Sequence, residues 1–376
     1  MSAQGPAATS SPASGRLFSI DALRGFDMLW IMGGDELIKA IANWADWPIK
    51  GQINEQFEHA EWEGFRFYDL IFPLFLFLVG VVIPFSVAGQ RARGASPARM
   101  HWRVLRRTVV LFALGLVCNG LLRFDWDSLR VAGVLQRIAV CYGCAALVVL
   151  HTNWRGQAAV AAALLLGYWG LLALVPAPGS AAGDFSAEGN LAGYVDRHYL
   201  PGRILKPYYG FGDNEGLLST APAVATALLG ALAGGWLRSA RRPGTRLLGL
   251  AATGLGCLAA GTAWGTVFPM IKNLWTGSFA LVAGGWSLLL VAAFHLVIDV
   301  AGYRRSAFFF TVIGANAITI YVVPRFVDFH KVAEFFVGGV AQHAGSFGPV
   351  VLAAGFLGAQ WLFLLYLYRR GLFLRV

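Results

Sequence analysis

Asp69-Leu-Ile-Phe-Pro73-Leu-Phe-Leu-Phe-Leu-Val-Gly80-Val-Val-Ile-Pro84-Phe-Ser-Val-Ala-Gly89 carries no charge after its first residue, and the next charged side chain is Arg91. A continuous apolar run of about 20 residues is long enough to cross the hydrocarbon of a bilayer as a helix. It is too long and too uniformly apolar for a barrel strand, which alternates and needs only about ten residues.

The remainder of the chain repeats this pattern. Apolar runs recur near 17–38, 104–122, 131–150, 158–175, 217–237, 247–268, 277–299, 307–323 and 347–368. The 376 residues are 57% hydrophobic before 46 glycines are counted, and 13% charged. A soluble domain carries about 25% charged residues, so a soluble fold could not clothe this chain in polar groups. The expectation is an all-α polytopic membrane bundle of about ten transmembrane helices, a single domain over 16–376. The uncharged Ser/Ala/Gly/Pro stretch 1–15 is read as a disordered cytoplasmic tail.

A net charge of +10 would suit nucleic acid if it formed one patch, but the charges alternate between successive loops. Seventeen Lys and Arg side chains, including Arg91, Arg93, Arg99, Arg103, Arg106, Arg107, Arg238, Arg241, Arg242 and Arg246, fall on one side. The other side holds most of the carboxylates, among them Asp184, Glu188, Asp196, Asp213 and Glu215. Positive charge marks the cytoplasmic face, so both termini are expected there and the long 39–68 and 176–216 loops outside. A nucleic-acid partner is excluded on this distribution, and membrane lipids are the expected surroundings. The cysteines Cys118, Cys141, Cys144 and Cys257 lie in apolar stretches and read as packing residues, with neither disulfide nor metal expected.

Ionisable side chains inside a span are costly and mark function by default. Asp21, Arg24 and Asp27 are spaced to stack on one face of the first span, and Gly33-Gly34-Asp35-Glu36 marks its outer end. Gln136 and Arg137 sit about two turns into the fourth span, where a buried guanidinium suits phosphate or carboxylate. The densest stretch is Glu55-Gln-Phe-Glu58-His59-Ala-Glu61-Trp62-Glu63-Gly64-Phe65-Arg66-Phe67-Tyr68-Asp69. Its aromatics suit a membrane boundary. One imidazole among several carboxylates suits proton abstraction near neutral pH.

The set Arg16-Leu-Phe-Ser-Ile-Asp21-Ala-Leu-Arg24-Gly25, His59-Ala-Glu-Trp62-Glu-Gly64, Asp69-Leu-Ile-Phe-Pro73, Gly133-Val-Leu-Gln136-Arg137, Gly193-Tyr194-Val-Asp196-Arg197, Glu215-Gly216-Leu, Lys272-Asn273-Leu-Trp275-Thr and Gly314-Ala-Asn316-Ala resembles the heparan-α-glucosaminide N-acetyltransferase family, its bacterial relatives included. The order of the pieces, over residues 16 to 325, is what makes the resemblance specific. It implies an integral membrane acyltransferase that takes acetyl-CoA, as co-substrate, from the cytoplasm and delivers acetyl to an amino sugar across the membrane. It places the active-site histidine on His59. It also sets Asp35 where the lysosomal member has asparagine, a departure that bears on acceptor or proton path. No counterpart of the lysosomal member's luminal amino-terminal region is expected, which leaves acceptor recognition to the external loops.

On these grounds His59 and Asp35 are expected to be catalytic. Glu61, Asp69, Lys272, Asn273 and Asn316 are expected to bind the acceptor, and Arg24, Arg137, Arg106 and Arg107 to hold the CoA phosphates, a role that fits arginine's fork of donors. The expected setting is a bacterial inner membrane, and a homodimer is the one assembly considered. The competing expectation is a transporter of N-acetylglucosamine or a related amino sugar, which intramembrane charge would also suit.

Overall fold

The computed structural model describes residues 17–205 and 210–374; the tail expected over 1–15 lies outside them. They are helical, with no strand among the described residues and only two isolated bridges. Helix α1 (Phe18–Leu29) continues through Trp30–Gly34, kinked at Gly33 (φ 99°), into α2 (Asp35–Trp44), and a short α3 (Lys50–Gln56) follows. Then come α4 (Phe67–Ala92), α5 (Pro97–Cys118), α6 (Val134–His151) and α7 (Trp154–Leu174). A short α8 (Leu191–Tyr199) precedes α9 (Thr220–Leu237), α10 (Pro243–Trp264) and α11 (Gly277–Phe294). The chain ends with α12 (Phe308–Ala315), α13 (Ala317–Val322), α14 (Phe329–His343) and α15 (Gly348–Arg369).

Seven of these are long and apolar enough to cross a membrane, or eight when α12 and α13, bent by 70° at Asn316, count as one broken span. The bundle is thus all-α and polytopic, as expected. Two of the ten expected spans differ from the others in kind. Helix α1 has only 12 residues and leads into a kink at Gly33, and the first half of α5 carries Arg99, His101, Arg103, Arg106 and Arg107. The segment 39–68, expected as loop, is helical over 39–44 and 50–56, in α2 and α3, and α14 is a helix where no apolar run signalled one.

Why the helices pack so closely is written in small residues. Without a hydrophobic drive between helices in lipid, association rests on close backbone approach. A Cβ at Gly80 of α4 would strike the Ala227 carbonyl of α9, and one at Gly230 or Gly234 of α9 would strike the Phe77 or Val81 carbonyl of α4. The same reciprocity joins α1 and α12: a Cβ at Gly25 would strike the Phe310 carbonyl, and one at Gly314 would strike the Asp21 carbonyl. Helix α4, with Leu74, Leu76, Phe77, Leu78 and Val81 fully buried, is the central post.

The connections gather at two ends. At the arginine-rich end, Arg91 donates to the Leu150 carbonyl (3.2 Å), the Trp236 indole to the Arg246 carbonyl (3.0 Å), and Ser19 to Asp299. At the carboxylate-rich end, the Trp62 indole donates to the Phe185 carbonyl (3.0 Å) and Arg130 pairs with Asp213 and Glu215. This is the segregation of connections that the alternating loop charge demands.

Candidate active site

The chemistry-bearing loop is held from both sides. Glu63 and Ile271 form an antiparallel bridge, and the Gly64 N–H donates to the Met270 carbonyl (2.8 Å). These contacts pin residues 59–66 to the α10–α11 connection and carry Lys272 to His59. The Arg66 guanidinium donates to the His59 carbonyl (3.0 Å) and to Glu55 (3.1 Å), and Lys39 donates to the Phe57 carbonyl (3.2 Å).

Asp69 stands in the first turn of α4, fully buried. Its Oδ2 accepts the Ala60 N–H (3.2 Å) and the Arg66 N–H (3.1 Å), which leaves Oδ1 for His59 Nδ1 at 2.9 Å and Lys272 Nζ at 3.3 Å. A carboxylate that accepts the Nδ1 proton fixes the imidazole tautomer and leaves Nε2 as the basic atom. Lys272 Nζ lies 3.2 Å from that Nε2 and 2.8 Å from Nδ1. Burial pushes the Lys272 ammonium below the ordinary lysine range, opposed by the charge of Asp69 and then of Glu215.

His59 and Lys272, with Asp69 buried behind them, open on a cavity of about 280 Å³ bounded by Tyr68, Phe72, Arg130, Glu215, Trp275 and Arg325 among others. Beneath it lies a second cavity of about 290 Å³, reaching the arginine-rich end at Arg24 and Arg107. Phe75, Leu135, Ile138, Ala317 and Ile318 line both, so one apolar collar is all that separates them. The collar includes the start of α13. At the break before it, Asn316 is buried and neither atom of its side-chain amide has a protein partner. Buried amides are rarely left so, and here the unpaired one adjoins the joint between the cavities.

Trp275 shapes the floor of the upper cavity. It adopts φ 53°, left-handed backbone that a bulky residue seldom takes, and it is almost completely buried. Its indole donates to Thr226 Oγ1 (3.0 Å) and its ring lies 5.2 Å from the Arg137 guanidinium. Its N–H closes a turn onto the Lys272 carbonyl (2.9 Å), so the unusual backbone is what sets Lys272 back over the cavity.

The residues singled out from the sequence are distributed as follows. His59, Asp69 and Lys272 meet. Arg24 and Arg107 border the lower cavity, with the Arg107 guanidinium 4.5 Å above the Tyr142 ring. Arg106, one position along α5, faces outward. Arg137 is buried below Trp275 and donates to Ser219 Oγ and the Gly216 carbonyl (3.2 Å), so it braces the upper floor and is remote from the arginine-rich end. Asp35 is paired with Lys39 (3.7 Å) at the start of α2. The chain kinks at Gly33 (φ 99°) just before it, and Met28 and Ile31, not Asp35, line the upper cavity. Glu61 is exposed, and Asn273 is half-buried without lining either cavity.

Sequence reasoning gave no role to Arg130, Tyr321 and Arg325, which line the upper cavity. Arg130 forks onto Asp213 (Nε–Oδ2 2.9 Å) and also pairs with Glu215. Asp196 of α8 accepts the Leu217 N–H (2.9 Å) and the Asp213 N–H (3.2 Å), and a Cβ at Gly216 would collide with its carboxylate. Burial pushes the Asp196 carboxyl up to about 6 against those two donors. The signal was available: Asp196, Asp213, Glu215 and Gly216 are four hydrogen-bonding or space-critical positions within one long loop.

Two proteins resemble this chain over most of its length. It is 26% identical to the human heparan-α-glucosaminide N-acetyltransferase across 85% of this chain and 56% of that protein. It is 25% identical to the mouse protein of the same name over the same shares. The chain is a relative of the heparan-α-glucosaminide N-acetyltransferases. It spans about half the length of the relatives it matches. No protein-family model matches it.

Proposed function

We propose that the protein transfers an acetyl group from cytoplasmic acetyl-CoA to the amine of an amino sugar on the other side of the membrane. The observation that carries the reading is the His59–Asp69–Lys272 trio standing over two cavities joined at one collar. Phosphates of CoA suit Arg24 and Arg107 at the cytoplasmic mouth, and the thin pantetheine arm suits the apolar collar, where the unpaired Asn316 amide would meet its amide groups. The thioester carbonyl then arrives below His59. The sugar amine attacks that carbon, His59 Nε2 takes the amine proton, and the Lys272 ammonium steadies the oxyanion. Collapse breaks the C–S bond, and the proton on His59 passes to the departing sulfur. Arg130, Glu215 and Arg325 at the upper mouth provide charge of both signs for a sugar.

Purified protein in liposomes, given labelled acetyl-CoA on one side and glucosamine on the other, tests this reading. Label on the sugar nitrogen is the expected result. Uptake of unmodified sugar without acetylation would replace the enzyme with a carrier. Loss of transfer in His59→Ala with acetyl-CoA binding intact would assign the chemistry to the upper cavity.

A further inference from the structure

A third cavity, of about 930 Å³, lies at the arginine-rich end and shares no lining residue with the lower cavity of the proposed active site. It arises because α7 packs on α9 while α10 packs on α11, so the two outer helices diverge. Its walls are apolar, with Val149, Leu229, Leu232 and Leu288 among them. Arg91, Arg238 and Arg241 line it as well, and no carboxylate does. None of the three arginines belongs to an ion pair of the described residues. Arg91 donates only to the Leu150 carbonyl (3.2 Å), the Arg238 guanidinium lies 5.8 Å from the Phe85 ring, and that of Arg241 lies 4.2 Å from the Trp236 ring. Ring contacts leave the N–H groups of a guanidinium available for an anion.

We propose that this cavity binds an anionic phospholipid, with the phosphate at Arg91, Arg238 and Arg241 and an acyl chain along the apolar wall between α7 and α10. Three observations converge on that occupant. The volume is at the upper end of what small-molecule sites offer, about 300–1,000 Å³. Three cations without a protein counter-ion call for negative charge, and a basic pocket between membrane helices on the cytoplasmic side is where anionic headgroups settle. Both helices that bound the gap turn most of their surface outward, α10 most of all, which gives a chain access from the hydrocarbon. A nucleotide phosphate would satisfy the arginines but not the apolar wall.

Native mass spectrometry of the purified protein with phosphatidylglycerol, phosphatidylcholine and inorganic phosphate separates the sources. Wild type is expected to retain phosphatidylglycerol over phosphatidylcholine. At about fivefold per arginine near the membrane surface, R238A/R241A should weaken phosphatidylglycerol retention roughly 30-fold, and R238K/R241K should restore most of it. Ala158→Trp, which fills the gap while leaving the arginines in place, should also lower retention. Equal retention of the two lipids, or unchanged retention in R238A/R241A, would overturn the proposal. Displacement of the lipid by millimolar phosphate, with Ala158→Trp without effect, would reassign the site to a small anion. Acetyl-CoA affinity should stay constant throughout, and its loss in R238A/R241A would make the cavity part of the CoA site instead.

Discussion

Asp69→Asn isolates the part of the candidate site that the structure makes most explicit. The carboxylate accepts four donors, two from the backbone at Oδ2 and two from His59 and Lys272 at Oδ1. An asparagine can keep its oxygen toward the Ala60 and Arg66 N–H groups, so the start of α4 stays capped and the fold persists. Its NH₂ then faces His59 Nδ1 and the Lys272 ammonium. An amide donor there reverses the tautomer, placing the proton on Nε2, the atom that has to accept one. It also removes the anion that offsets the buried ammonium. A hydrogen bond to a charged group is worth about 1.5–3 kcal/mol, or roughly 10- to 150-fold. Where a serine protease's tautomer-holding aspartate is changed to asparagine, turnover falls about 10⁴-fold. The expected loss in kcat for acetyl transfer to glucosamine is therefore about 10²- to 10⁴-fold, with acetyl-CoA affinity unchanged, because the proposed function puts the nucleotide end beyond the collar. His59→Ala/Asp69→Asn should be no worse than His59→Ala alone, since residues acting as a unit are not additive. A loss under threefold, or additive losses in the double variant, would reduce Asp69 to a helix-capping residue.

Lys272 should give the pH profile an alkaline limb. In the proposed mechanism its ammonium is the active form, and burial lowers its pKa, so kcat should fall as pH rises through a value below the usual lysine range. Lys272→Arg should move that limb out of reach, and Lys272→Met should leave little activity at any pH; an unaltered limb in Lys272→Arg would assign it elsewhere. Arg24→Ala/Arg107→Ala should weaken acetyl-CoA binding at least tenfold by calorimetry, whereas the outward-facing Arg106→Ala should not change it. Asp196 supplies a stability test. Its carboxyl is raised to about 6 from an ordinary value near 3.8, so the folded state binds the extra proton between those values. Its contribution should fall as pH rises from about 4 to 6, by at most about 3 kcal/mol. Asp196→Asn should flatten that segment of the thermal-melting profile, and a profile identical to wild type would place the charge in water.

The bundle was legible because membrane solvent imposes its rule locally. A run such as 70–90 can satisfy its backbone in lipid only as a helix, and the alternation of arginine-rich and carboxylate-rich connections orders the helices without any contact being known. His59 was legible as an imidazole among carboxylates, and Asp69 and Lys272 lay in stretches that resemble one family. What pairs them was not. Their union depends on the Glu63–Ile271 bridge and on the left-handed backbone of Trp275, a conformation no residue preference announces. Arg106 and Arg107 are neighbours in sequence, but one helical step of about 100° sends one outward and the other to the cavity. Arg137 and Arg24 are both arginines within spans, yet only depth along the bundle tells that one braces Trp275 and the other borders the lower mouth. Asp35 was expected to act with His59, but beyond the kink at Gly33 it pairs with Lys39 and lies off the cavity lining. Local sequence determines which segments must be helices and which ends they join. Register, depth and the facing of each side chain depend on contacts between segments far apart in the chain, so only the packed structure decides them.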